Sequence, residues 1–254
     1  MTRLLKTVGS FAVFLVIWAA IVQFSGVPAY LLPSPVSVGM TLWEMIWSGT
    51  IFRHLYTTVF TALAGYLIGS GFGLAVGSVL AEFAIADRLV RPYLIGLQSI
   101  PKVALAPLLI VWFGYGLEAK IVLVALMTFF PVFVNTVAGL HMSNKELIDL
   151  YRASSASRFT IFREVKLPTA ASAIFAGLEV AVVLALIGTI VAEFVSSRSG
   201  LGYLIQAAST NYDVSMMFAA IALLAMLGIA SSQLLRTMHK KLVFWEGPRR
   251  DAGY

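Results

Sequence analysis

The chain turns on residues 149–168, Asp149-Leu150-Tyr151-Arg152-Ala153-Ser154-Ser155-Ala156-Ser157-Arg158-Phe159-Thr160-Ile161-Phe162-Arg163-Glu164-Val165-Lys166-Leu167-Pro168. This is the longest polar stretch of a chain that is otherwise almost continuously apolar. It carries four positive charges, Arg152, Arg158, Arg163 and Lys166. The pattern reads as a short helix, a serine-rich break and a second short helix. Ser143 with Glu146 fits a capping box that opens the first helix. Leu147, Leu150 and Tyr151 then share one apolar face. Ser154 and Ser155 are poor helix continuers, and Ser157 suits the N-cap of the second helix. Phe159, Phe162 and Val165 give that helix an apolar side, and Pro168 is expected to end it. A folded, basic knob between apolar segments suits either a docking surface or a charged loop.

The surroundings of this stretch decide the class. Of 254 residues, 59% are hydrophobic and only 12% charged, about half the charged share of a typical soluble domain. So little polar surface cannot coat a globule. The apolar runs are continuous, not alternating, which excludes the period-two pattern of a membrane barrel. The expectation is an all-α polytopic membrane protein of roughly six transmembrane helices at about 20 residues each. The net charge of +6 is no nucleic-acid signal, because the basic residues stand at span ends. The absence of cysteine excludes disulfides and thiolate chemistry. His54, His141 and His239 lie too far apart in sequence for a metal-ligand spacing, and each reads as a span-edge or loop residue.

In chain order, Val8–Phe24 reads as a retained first span. Gly26–Pro35 is a turn-rich exit, and Val36–Trp47 is an interfacial helix carrying Trp43 and Trp47. Thr57–Ala81 is the second span. Its Gly65, Gly69, Gly73 and Gly77 recur every four residues and bare one helix face for close packing. Glu82–Arg91 reads as a charged turn. The third span, Leu89–Phe113, contains Pro92, Pro101 and Pro107, so it must be bent or broken. Lys102 lies far from either end of it and should face a cavity or a partner. Gly114–Lys120 is a tight loop, and Ile121–Leu140 the fourth span. Ala170–Val195 is the fifth, with Glu179 as a helix–helix polar contact and Glu193 near its far end. Ser196–Ser215 is a loop and Met216–Leu235 the sixth span.

The positive charges orient these spans. Arg3, Lys6, Arg88, Arg91, the basic residues of 145–166 and the tail residues Arg236, Lys240, Lys241, Arg249 and Arg250 fall on one side. Arg53, Lys120 and Arg198 fall on the other. The richer side is cytoplasmic by the positive-inside rule, which places both termini and the polar knob there. Three regions result: 1–53, a transmembrane helix with an interfacial helix; 54–238, the main transmembrane domain with its loop at 141–169; and 239–254, a basic tail.

The polar stretch resembles the cytoplasmic loop of importer-type ABC transporter permeases, whose pattern is Glu-Ala-Ala, three residues, Gly, nine residues, Ile-x-Leu-Pro. Asp149, Leu150 and Tyr151 fall on Glu-Ala-Ala, Ser155 on the glycine, Val165 on the isoleucine, and Leu167 and Pro168 on Leu-Pro. Serine tolerates a left-handed turn less well than glycine, so this departure argues against such a turn at 155. Four segments, one of them within this stretch, are similar to the nitrate/sulfonate/taurine branch. These are Leu32-Pro33-Ser34-Pro35, Ile100–Leu108 with Trp112–Gly116, Ala156-Ser157-Arg158 followed by Leu167-Pro168, and Val191–Phe194 with Gly200-Leu201-Gly202. The likeness covers about residues 30–245.

The resemblance implies a type I ABC importer transmembrane domain in a bacterial inner (plasma) membrane. It implies a homodimer with a second copy of this chain, two cytoplasmic ABC ATPase subunits and an outer solute-binding protein. ATP and magnesium would belong to the ATPases, since this chain has no G-x-x-x-x-G-K-[ST] phosphate loop and binds no cofactor itself. The coupling residues it implies are Asp149, Leu150, Tyr151, Arg152, Ser155, Ala156, Ser157, Leu167 and Pro168. Lys102 and Glu193 are candidates for the substrate pathway. The solute would be a nitrate-, sulfonate- or taurine-like anion or a vitamin precursor. A self-contained secondary carrier or channel is the alternative, since intramembrane prolines and charges suit it too. The halves show no convincing inverted repeat, however. An intramembrane enzyme lacks the paired acids, paired histidines or serine with a base that its chemistry needs.

Overall fold

A computed structural model describes residues 2–245. The expected Arg249 and Arg250 of the tail lie outside them. Eleven α-helices are present among the described residues: α1 (Thr2–Phe24), α2 (Pro35–Trp47), α3 (Thr50–Glu82), α4 (Ala84–Gln98), α5 (Ala106–Phe113), α6 (Leu117–His141), α7 (Lys145–Ala153), α8 (Arg158–Ile161), α9 (Leu167–Ser196), α10 (Leu201–Thr210) and α11 (Val214–Leu242). A 3₁₀ turn at Lys102–Leu105 precedes α5, and a π turn at Phe162–Lys166 joins α8 to α9.

Four stretches are long and apolar enough to cross a membrane: Thr50–Glu82, Leu117–His141, Arg158–Ser196 and Val214–Leu242. A fifth span arises if the bent pair Asp87–Gln98 and Lys102–Phe113 counts as one, with an angle of 82° between its halves. The break follows from Pro101. A proline has no N–H for the helix ladder and pushes the preceding Ile100 out of the α region. The first apolar stretch, Gly9–Phe24, is shorter. The sequence count of about six includes that stretch and the bent pair.

The chain forms two compact units. One comprises residues up to Val59 with Ser197–Met226. Its core gathers Val38, Met45, Ile51 and Ala219, with Trp18, Leu204 and Phe218 against them. The expected loop at 196–215 is instead built around α10. The cap of α10 comes from far away in sequence. The Leu201 N–H donates to Thr58 Oγ1 at 2.8 Å, and Gly200 N lies 3.1 Å from His54 Nδ1. No local capping residue marks the helix start, so the sequence there reads as a loop.

The other unit comprises Phe60–Ser196 and the residues from Leu227 onward. Its axis is α6, which packs along α9. Val124 and Val132 of α6 are fully buried. Leu80, Phe129, Phe130, Phe133 and Val137 form one apolar cluster. Ala106, Leu109, Ala119, Leu123 and Ala192 form another. The glycine face of α3 lies on α6. A Cβ at Gly73 would stand 2.6 Å from the Phe129 carbonyl oxygen, and one at Gly77 2.9 Å from Thr136 Cβ. At Gly65 and Gly69 it would overlap Val124 and Thr128. The Thr128 hydroxyl, whose nearest acceptor is the Val124 carbonyl of its own helix at 3.0 Å, lies 3.3 Å from the Gly65 carbonyl across this contact.

Several sequence-drawn boundaries move. The charged turn expected at Glu82–Arg91 is instead helical on both sides of Phe83: Glu82 ends α3, and from Ala84 the chain starts α4. Its charges hold helical spacing, with Arg91 Nε donating to Asp87 Oδ1 at 2.9 Å, a pairing that supports a helix at i,i+4. The loop expected at Gly114–Lys120 stops at Gly116, and Lys120 is a buried residue of α6.

Candidate functional site

The polar stretch folds as a hairpin, α7 and α8, standing between α6 and α9. Asn144, not the expected Ser143, caps α7. Asn144 Oδ1 accepts from the amides of Glu146 at 2.8 Å and Leu147 at 3.4 Å. The Ser143 hydroxyl instead donates to the Leu140 carbonyl at 2.9 Å and closes the end of α6. Asparagine is as good an N-cap as serine, so two adjacent capping residues divide the two helix ends between them.

Helix α7 ends in a left-handed residue. Ser155 has φ +60°. The Ser155 amide donates to the Arg152 carbonyl at 2.9 Å, and the Ala156 amide to the Tyr151 carbonyl at 3.0 Å. These bonds form a Schellman-like ending, in which the residue after the cap is usually glycine. The expectation against a left-handed turn at 155 is therefore overturned. The two backbone bonds, with the Ser154 hydroxyl on the Leu150 carbonyl at 3.1 Å, hold a serine where glycine fits more easily.

Ser157 caps α8 as expected, its Oγ accepting from the Thr160 amide at 3.1 Å. Pro168 does not end the helix. From Arg158 the chain runs helically to Ser196. The π turn explains the tolerance. The Leu167 amide reaches back to the Phe162 carbonyl, five residues away. The Thr169 hydroxyl satisfies the Val165 carbonyl at 2.7 Å. The wider turn thus re-registers the ladder just where proline has no donor.

The hairpin holds both buried and exposed apolar side chains. Ile161 and Val165 are buried. Phe162 packs on the cluster of Leu140, Ala170 and Ile174, and Ala81 of α3 packs on the same cluster. Lys166 Nζ donates to Glu82 Oε1 at 2.6 Å. Leu147, Leu150 and Phe159, by contrast, are 39%, 61% and 70% exposed. Asp149 and Arg152 pair at 3.2 Å in the open, an interaction that contributes about 0.2–1 kcal/mol at most. Leu167 and Pro168 stand at the root, and Tyr151 and Ala156 are half-buried.

Lys102 and Glu193 are not each other's partners. Lys102 Nζ donates to the Gln98 carbonyl at 2.7 Å and lies 4.5 Å from the centre of the Phe130 ring. It thereby caps the broken end of α4. Glu193 is fully buried, and its nearby cation is Lys120. Sequence reasoning misses Lys120 because it stands next to a Gly-rich turn. Its place in the first turns of α6 is legible only once the start of α6 at Leu117 is known. Glu179 does bridge helices, 3.7 Å from both Arg236 Nε and His239 Nδ1 of α11. The His239 ring stacks on Phe175 at 4.6 Å.

The family model for binding-protein-dependent transport system inner membrane components matches residues 69–244. The chain belongs to this family. The riboflavin transport system permease protein of Chloroflexus aurantiacus is 38% identical to it, over 91% of this chain and 87% of its own length. The putative aliphatic sulfonates transport permease protein of Bacillus subtilis is 35% identical, over 92% of this chain and 85% of its own. The formylaminopyrimidine transport permease protein of Halalkalibacterium halodurans is 32% identical, over 92% and 93%. An inward-facing structure of the MetNI methionine ABC transporter shares the fold, with a TM-score of 0.66 over 79% of this chain and 96% of that one, at 22% identity. The permease is thus a multi-pass inner membrane protein, the membrane-spanning subunit of an ABC importer. Its resemblance to the sulfonate-type branch holds across nearly the whole chain.

Proposed function

We propose that the hairpin at 141–169 is the docking site of a cytoplasmic ABC ATPase, and that the permease works as two copies with two such ATPases and an outer solute-binding protein. The observation that carries this reading is the exposure of the apolar side chains Leu147, Leu150 and Phe159 on the most polar stretch of the chain, while Ile161 and Val165 of the same stretch are buried in this chain's own core. Apolar side chains on a polar knob are stabilised when a partner groove covers them. The basic residues around them favour the cytoplasmic side, which puts both termini there too. ATP and magnesium then belong to the partner, and the permease supplies the pathway that the partner's closure opens and shuts.

The substrate class we propose is a small solute of the kind that names the relatives, an aliphatic sulfonate or a heterocyclic vitamin or its precursor. Selection would rest largely with the binding protein. A mild-detergent pull-down of the full chain from its native membrane tests the docking. The expected result is equal recovery of an ABC ATPase, lost in Leu150→Glu and in Ser155→Arg. Undiminished recovery in both variants would overturn the docking site. Recovery of the chain alone, under conditions that keep related importers whole, would favour a self-contained carrier.

A further inference from the structure

The hairpin is joined to its unit through the chain at both ends: α7 follows α6 after residues 142–144, and α8 runs through the π turn into α9 without a break. A further, non-covalent link is the Lys166–Glu82 contact at 2.6 Å. It joins the last residue of the π turn to the last residue of α3, 84 residues away in sequence. Both side chains are largely covered, 19% and 25% exposed, so water screens the pair less than it screens Asp149–Arg152. Next to Glu82 in sequence, Ala81 packs on the same apolar cluster as Phe162. Phe162 and Lys166 are the first and last residues of the π turn, so this one turn shares both an ion pair and an apolar cluster with the end of α3.

A π turn carries one residue more than the α register allows, and such turns gather at functional sites. Moving one residue into or out of the turn rotates the hairpin by about 100° relative to α9. Helices α6 and α9 are joined to the hairpin through the chain, one at each end. Helix α3 has no such link. Its glycine face lies on α6, and the Lys166–Glu82 pair is the ionic contact between its end and the π turn.

We infer that Lys166 and Glu82 are positioning residues that make α3 move with the hairpin, so that a push on α7 and α8 reaches α3 as well as the two spans joined to the hairpin through the chain. This rests on the ATPase docking proposed above. The pair touches neither the solute nor the nucleotide; it acts by holding the end of α3 to the π turn.

The chain has no cysteine, so single introduced cysteines report cleanly. The full complex with its ATPase, in lipid nanodiscs, is spin-labelled at Leu67→Cys on α3 or at Val183→Cys on α9, both exposed positions. Line shapes are recorded with and without ATP and vanadate. With the native pair, both labels are expected to respond. In Lys166→Met and in Glu82→Gln the Val183 response should persist and the Leu67 response should be lost, with the ATPase still co-purifying. The exchanged pair Lys166→Glu with Glu82→Lys should restore it, which guards against a variant that merely folds poorly. A Leu67 response that survives Lys166→Met overturns the inference, as does one absent from the native pair while Val183 responds. Loss of the ATPase from the Lys166→Met complex, or failure of the exchanged pair to restore the response, overturns it as well. Silence at both positions with the native pair would instead sink the docking reading beneath it.

Discussion

The amide of Ala156 donates to the carbonyl of Tyr151 at 3.0 Å, and the residue between the two helices, Ser155, is thereby held at φ +60°. An L-residue in that region costs about 1–2 kcal/mol, and glycine carries no such cost. Ser155→Gly is therefore expected to leave the hairpin fold unchanged and to raise stability by about 1 kcal/mol. Ser155→Val, β-branched, should lower stability. Thermal unfolding of the detergent-solubilised chain, followed by tryptophan fluorescence, reads both. A Ser155→Gly variant less stable than the parent would mean that the serine side chain contributes something the backbone geometry does not account for.

The glycines of α3 allow a sharper comparison. A Cβ at Gly73 would meet the Phe129 carbonyl at 2.6 Å, a backbone atom that cannot swing away, whereas one at Gly71 would meet nothing within 4 Å. Gly73→Ala should overpack the α3–α6 contact and cost about 1–3 kcal/mol. Gly71→Ala should be neutral or slightly stabilising, since alanine favours a helix over glycine by about 1 kcal/mol. Equal melting temperatures for the two variants would contradict the packing described.

How much of the fold and the hairpin is readable from the sequence depends on how local each cause is. The long apolar helices are local: continuous apolar runs of span length have one stable form in a bilayer. The break near Pro101 is local too, because proline acts on its own ladder. The four-residue spacing of the glycines stands in the sequence, but nothing in the spacing names α6 as the helix that lies on them. Helix α10 escapes a sequence reading because its cap comes from His54 and Thr58. Pro168 misleads because the π turn that accommodates it depends on bonds between Leu167 and Phe162 and between Thr169 and Val165. The α7 cap shifts by one residue because Ser143 and Asn144 are both good caps, and only the carbonyl of Leu140 decides between them. Within the hairpin, Phe159 and Phe162 look alike in sequence, yet one is exposed and the other packs against Leu140 and Ile174.

Lys102 has a structural role that can be tested directly. Its ammonium closes the carbonyl end of α4 at Gln98 and faces the Phe130 ring. A cation over an aromatic ring contributes about 0.5–1 kcal/mol at exposed sites and about 2 when desolvated. Lys102→Met is expected to lower stability by about that amount, and Phe130→Leu to remove most of the sensitivity to it. If the double variant loses the sum of the two single losses, the ring and the ammonium do not interact.

The heaviest penalty is expected at Glu193. It is fully buried, Lys120 is 7% exposed, and the two interact electrostatically among Ala119, Leu123 and Ala192. Removing one member of a buried charge pair leaves the other uncompensated, at about 3–5 kcal/mol, whereas replacing both with apolar groups of similar volume is often neutral or stabilising. Lys120→Met alone should therefore be far more damaging than Lys120→Met with Glu193→Gln, because the amide carries no charge into the same space. The measurement is a double-mutant cycle on thermal stability in detergent, with expression level as a second readout. A double variant as unstable as the two single ones combined would show that Glu193 is held by groups other than Lys120. Its burial would then have to be explained by hydrogen bonds within α9 and its neighbours, and Lys120 would be a separate buried cation with its own partner.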